Sequence, residues 1–148
     1  MQNAIILLSG GLDSSTLAYY VKHKIKPKSI TALFFDYNQR NSKQEEYCAK
    51  FIANKIGAKF KKINLKWLGD ISTSLINSKS KLPKINERDL TSFRKGKKEI
   101  LNYWVPCRNS LFLISALAHA EAEFISNNKQ YSVYIGLKSE GSLPMKDA

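Results

Sequence analysis

The sequence predicts an α/β domain with a mostly parallel sheet and helices on both faces. Three observations predict it. Short runs rich in Ile, Leu, Val and Phe alternate with longer stretches whose apolar residues recur at helical spacing. The first such pair is joined by Ser9-Gly10-Gly11, a tight turn of the kind that links a buried parallel strand to a helix. The 148 residues, 43% of them hydrophobic, suit one domain spanning 1–148 with ample material for a core.

The elements follow in order. Ala4 to Leu8 has the length and Ile/Leu content of a buried strand, and Leu17, Ala18 and Val21 fall on one face of the helix after it. Lys26 to Lys28, around Pro27, form a turn into a second buried strand, Ser29 to Tyr37. Cys48, Phe51, Ile52 and Ile56 mark the apolar face of the next helix, with Gly57 as its stop. Lys59 to Leu65 alternates charged and apolar residues, as a more exposed third strand does. The stretch 69–100 is polar and lysine-rich and carries Pro83 and Gly96, so it reads as a mobile insertion that covers the site. Arg108 to Phe124 is the strongest helix, apolar on most faces, and Tyr131 to Leu137 is a fourth strand.

Composition narrows the function classes. No run of about eighteen apolar residues is present, and Met1 to Leu8 lacks the charged start and long apolar core of a secretory signal, so a cytoplasmic protein without a membrane partner is expected. Cys48 and Cys107 are too few and too far apart for a Cys-rich zinc site, and reduced thiols are the simplest account. The net charge of +12 invites a nucleic-acid partner. The lysines, though, are spread along the chain without an aromatic-studded stripe, which points to a solvated basic surface that concentrates anions.

The chemistry is sharpest at the first turn. Gly10 and Gly11 let the backbone turn closely beside a ligand, while Asp13, Ser14 and Ser15 sit where a helix N-terminus offers unpaired amides. That arrangement suits a phosphate or pyrophosphate. Its alternative is a Gly-Gly turn with a Ser or Asp helix cap and no ligand. The nucleotide-triphosphatase loop does not fit, because no lysine appears before Lys22, and the dinucleotide fingerprint lacks its third glycine. With no loop lysine, the phosphate charge needs amides, hydroxyls, magnesium or a cation from elsewhere. Arg108 is the candidate cation: with Asn109 it enters the long helix after Pro106, and it could clamp a phosphate or form a surface ion pair. Asp36, at the end of strand two, stands where an acidic or backbone group meets a ribose or base, or where an Asp caps a helix.

SGGLDSS, Ser9 to Ser15, resembles the SGGxDS signature of the ATP pyrophosphatase superfamily, which implies a Rossmann-like adenine nucleotide alpha hydrolase fold and cleavage of ATP between its α and β phosphates. Together with FFDYNQR, Phe34 to Arg40, and YWVPCRN, Tyr103 to Asn109, it resembles the 7-cyano-7-deazaguanine synthases over nearly the whole chain. In that family the second motif is typically FDYGQRH and the third VPGRN, so Asn38 and Cys107 each replace a glycine and Asn41 replaces a histidine. The resemblance implies that 7-carboxy-7-deazaguanine is activated by ATP and magnesium as an acyl adenylate and converted with ammonia to the nitrile, for queuosine or archaeosine.

Residue roles carry over by motif. The ATP-binding set runs from Leu8 through Ser9, Gly10, Gly11, Leu12, Asp13, Ser14, Ser15, Thr16 and Leu17 to Ala18; it continues with Phe35, Asp36, Tyr37, Gln39 and Arg40, and ends with Arg108 and Asn109. Asp13, placing magnesium, and Arg108, steadying phosphate charge, are the candidate catalytic residues. Lys138, Glu140, Ser142 and Asp147 stand where the family's substrate loop begins, although Ser142-Leu143-Pro144 replaces its usual Ser-Gly-Tyr-Pro. The family continues into a segment whose clustered cysteines bind structural zinc, and those ligands are missing here. His23 and His119 read as structural or surface residues. The resemblance also implies a homodimer by analogy, or a partner chain that completes the site. Another adenylating enzyme acting on transfer RNA and a nucleotide-binding module without turnover are the alternative functions.

Overall fold

A computed structural model of the chain describes residues 2–77 and 102–137. Strand β1 (Asn3–Leu7) leads through the Ser-Gly-Gly turn into helix α1 (Leu12–Tyr20). One π-helical turn, Val21–Ile25, ends at Lys26 in the left-handed region with φ 53°. Strand β2 (Ile30–Asp36) follows, then helix α2 (Ser42–Ile56), which Gly57 stops with φ 69° as its spacing predicts. Strand β3 (Lys59–Asn64) is followed by a short helix, α3 (Lys66–Asp70). Helix α4 (Arg108–Asn127) and strand β4 (Tyr131–Tyr134) complete the described chain. The short helix α3 was not legible in the sequence. It overlaps the start of the 69–100 insertion, of which residues 78–100 lie outside the described residues.

The four strands form one parallel sheet in the order β3-β2-β1-β4, with Ala4 opposite Ile30 and Ser132. Every residue of β2 is buried, as a strand with neighbours on both edges and helices on both faces requires. Alternation along the strands makes two cores. Ala4, Ile6, Ala32 and Phe34 face α1 and α2, meeting Ala18, Ala49, Ala53 and Ile56. Ile5, Leu7, Leu33 and Phe35 face the other way, onto Leu68 of α3 and Phe112 and Ala116 of α4. Each wholly buried Ile, Leu or Phe in these layers contributes about 1.5–3 kcal/mol of transfer free energy.

The apolar face predicted for α2 is out of phase. Cys48 and Phe51 are exposed, and Ala49 and Ala53 take the buried positions beside Ile52 and Ile56. Alanines let the helix axis approach the sheet closely, and of the large side chains on α2 Ile56 is fully buried and Ile52 partly buried on that face. β3, at the sheet edge, carries Lys59, Lys61 and Lys62, side chains that discourage pairing with another chain.

The chain runs outward from β1 to β2 and β3, then returns to the opposite side of β1 as β4. The direction of winding reverses between β1 and β4. The loops leaving these two strands part there, at the position where doubly wound sheets bind ligands.

Candidate functional site

The carboxyl ends of β1, β2 and β4 open into a cleft of about 790 Å³. Leu7, Leu8 and Ser9 carry β1 into it, joined by Ser14 from the first turn of α1. Phe34, Phe35, Tyr37, Gln39 and Glu45 enter from the end of β2 and the start of α2. Trp104, Arg108, Asn109 and Phe112 wall the opposite side from the entry to α4, and Ile135, Gly136 and Leu137 close it beyond β4.

The turn after β1 is rigidly built. Gly10 has φ +80°, and a Cβ there would stand 2.9 Å from both the Ala49 amide nitrogen and the Glu45 carbonyl oxygen of α2. Only glycine meets both demands. The hydroxyls of Ser9 and Ser14 lie 3.0 Å apart, Ser14 Oγ donates to the Gly11 carbonyl at 3.1 Å, and Ser15 Oγ donates to the same carbonyl at 2.6 Å. The protons of Ser14 and Ser15 are therefore spent inside the turn. No side chain caps α1, so the amides of Leu12, Asp13 and Ser14 keep the free valence of a helix start. Helix α4 also begins without a side-chain cap, and both helix starts meet at the cleft, where their dipoles favour an anion.

The far end of β2 is organised by Gln39, which is 5% exposed. Its Oε1 accepts from the Tyr37 amide at 3.0 Å, and its Nε2 donates to the Phe35 carbonyl at 3.1 Å and to Glu45 Oε2 at 2.9 Å. Tyr37 and Phe35 pack on Phe112, the latter stacked with ring centroids 4.2 Å apart. The Arg108 guanidinium lies 5.9 Å from the Tyr37 ring centroid. Burial raises the Tyr37 hydroxyl pKa, with Glu45 adding to the effect and Arg108 opposing it, so the phenol stays protonated at neutral pH.

Of the residues predicted for the site, Leu8, Ser9, Ser14, Phe35, Tyr37, Gln39, Arg108 and Asn109 line one cleft. Gly10, Gly11, Leu12, Asp13 and Ser15 belong to the turn beside it, with Leu12 and Asp13 exposed. Thr16 points to solvent, Leu17 is partly buried against the core, and Ala18 is wholly buried against the sheet. Asp36 is only 5% exposed and is occupied elsewhere. Its Oδ1 accepts from the Ser42 hydroxyl and the Asn38 amide, and its Oδ2 pairs with Lys62 at 2.9 Å. Burial pushes its pKa up, and these donors together hold it below the ordinary carboxylate value. Arg40 donates to the Leu75 carbonyl at 2.6 Å and so ties the segment after α3 to the end of β2. Lys138, Glu140, Ser142 and Asp147 lie outside the described residues.

The sequence reading missed Glu45, Trp104 and Phe112. Glu45 and Phe112 sit one turn into helices whose motifs end earlier, and Trp104 precedes Pro106 and Arg108 in YWVPCRN, where an aromatic residue reads as readily as core packing. Asn38 and Cys107, the two glycine replacements, adopt φ 63° and φ 52°. The left-handed backbone that glycine would supply is retained at both. His119 faces Lys61, whose Nζ lies 3.1 Å from Nε2. His23 stacks on Tyr19, with ring centroids 6.1 Å apart. Neither histidine lines the cleft. Cys48 and Cys107 are free thiols, and among the described residues there is no cluster of three or more His, Cys, Asp or Glu side chains placed to hold a metal ion. No helix among the described residues is long and apolar enough to cross a membrane.

Comparison with known proteins adds to this geometry. Residues 3–142 match the family model described as queuosine biosynthesis protein QueC. The 7-cyano-7-deazaguanine synthase of Methanosphaera stadtmanae is 37% identical over 119 residues, which are 80% of this chain and 51% of that protein. The synthase of Campylobacter hominis is 34% identical over 142 residues, 94% of this chain and 57% of its own length. That of Methanococcus maripaludis is 32% identical over 144 residues, 97% and 58% respectively. The chain thus spans about half the length of the curated relatives it matches.

Proposed function

Because this chain belongs to the QueC family of queuosine biosynthesis proteins, we propose that its cleft binds ATP and serves the conversion of 7-carboxy-7-deazaguanine and ammonia to 7-cyano-7-deazaguanine. One observation carries the ATP reading: the uncapped first turn of α1, which starts beside a cleft whose far wall supplies Arg108. The first-turn amides bind the phosphates that leave, and Asp13, an exposed carboxylate of the turn, would hold the magnesium that accompanies them, which would neutralise phosphate charge. The phosphates take their cation from across the cleft, because the turn contains no lysine. Phe34 to Tyr37 hold adenosine at the end of β2, mainly through the backbone.

The carboxylate of the substrate then attacks the α phosphorus. Pyrophosphate leaves, and ammonia displaces AMP from the resulting acyl adenylate to give the amide; the amide oxygen then attacks the α phosphorus of a second ATP, pyrophosphate leaves again, and elimination of AMP, which carries that oxygen away, with loss of a proton gives the nitrile. Among the described residues the cleft offers no histidine, and positioning with charge neutralisation carries the chemistry.

The test is to incubate the chain with magnesium, ATP, ammonium and 7-carboxy-7-deazaguanine and to follow pyrophosphate and nitrile together by mass spectrometry. Substrate-dependent release of both is expected. ATP binding with neither product would leave a nucleotide-binding module, and absence of ATP binding would overturn the reading.

A further inference from the structure

We propose that Glu45, in place of Asp36, is the acid that receives the ribose hydroxyls of the nucleotide; this rests on reading the cleft as an ATP site. Two acids stand near the carboxyl end of β2, and the structure separates them. Both carboxylate oxygens of Asp36 are taken, by Ser42 and Asn38 on one side and Lys62 on the other, and its side chain does not line the cleft. Glu45 lines the cleft.

The position of Glu45 suits a ribose. A nucleotide with its phosphates on the turn after β1 and its base along the end of β2 carries its sugar between the two. Glu45 lies there: its carbonyl oxygen is 2.9 Å from the place of a Gly10 Cβ, so the first turn of α2 rests on the phosphate turn. Its Oε2 is held by Gln39 Nε2 at 2.9 Å, and its Oε1 has no hydrogen-bond partner among the described residues. A carboxylate only accepts, and a vicinal diol offers two hydroxyl donors. Charge-assisted bonds of this kind are the stronger ones, and Gln39 fixes the acceptor before the sugar arrives.

The experiment is titration calorimetry of the full chain with magnesium and either ATP or 2′,3′-dideoxy-ATP, repeated on Glu45→Gln. The wild-type chain is expected to bind ATP about tenfold more tightly than the dideoxy analogue. In Glu45→Gln, ATP falls to within about twofold of the analogue, whose own affinity is unchanged. Equal wild-type affinity for the two ligands overturns the assignment without any variant. So does a variant that keeps the preference, or one that weakens both ligands alike, which would place Glu45 on magnesium or on the fold of the turn. A chain that binds neither ligand overturns the ATP reading, and this inference with it.

Discussion

Gly10 and Gly11 are neighbours with different tasks. Gly10 has positive φ and backbone atoms of α2 where a Cβ would go, whereas Gly11 has φ −77° and nothing closer than Ser9 Oγ at 3.5 Å. Gly10→Ala is expected to lower unfolding free energy by about 2 kcal/mol or more, and Gly11→Ala by less than about 0.5 kcal/mol, as read by urea titration. Cys107 presents the reverse case. An L-residue with a Cβ stands at φ 52° at the start of α4, so Cys107→Gly is expected to raise stability by about 0.5–1 kcal/mol. Asn38→Gly is expected to be close to neutral, because asparagine already tolerates this region. If the cleft binds ATP as proposed, Arg108→Ala, which removes a cation from the cleft wall, should cost at least about tenfold in ATP-dependent pyrophosphate release, with unchanged thermal melting. The glycine pair and the arginine were legible in the sequence because their chemistry is local. The occupied state of Asp36 was not, since Lys62, which claims it, lies on the next strand.

The strands and long helices were legible to within a few residues, because β-branched and apolar runs mark buried parallel strands whatever surrounds them. The face of α2 was not, because it depends on how close the helix comes to the sheet. The contact between β2 and β3 carries an electrostatic consequence. Asp36 titrates below its ordinary value of 3.8 in the folded chain, so its pairing stabilises fully above that pH. The contribution declines as pH falls below 3.8 toward the folded value. Asp36→Asn should lose about 2 kcal/mol at pH 7 and flatten the acid limb of stability against pH. Between β3 and α4, burial lowers the His119 pKa and the Lys61 charge lowers it further. This depressed value favours the fold above pH 6.5, the ordinary histidine value, and the advantage shrinks as pH falls below it. Lys61→Met should raise the His119 pKa, measured by NMR titration of its ring protons.

At the scale of the whole molecule, the order β3-β2-β1-β4 was foreshadowed only as a parallel sheet, since strand order depends on long-range pairing that no local pattern records. The order decides what is exposed. Among the described residues β4 pairs only with β1, and the outer side of α4 leaves Ile114, Leu117 and Phe124 48–62% exposed, around a shallow hollow bounded by Tyr131. The chain should therefore bind an apolar fluorescent dye in its folded state, and Phe124→Glu should reduce that signal with little change in melting. The two arms of the cleft are themselves joined. A Cβ on Gly136 would stand 3.2 Å from the Asp13 carbonyl oxygen and 3.3 Å from the Ser14 amide nitrogen, so the loop after β4 lies backbone to backbone on the first turn of α1. A side chain at position 136 would press on the first turn of α1 itself, so Gly136→Ala is expected to disturb the turn that the ATP reading assigns to phosphate, read as weaker ATP binding in titration calorimetry.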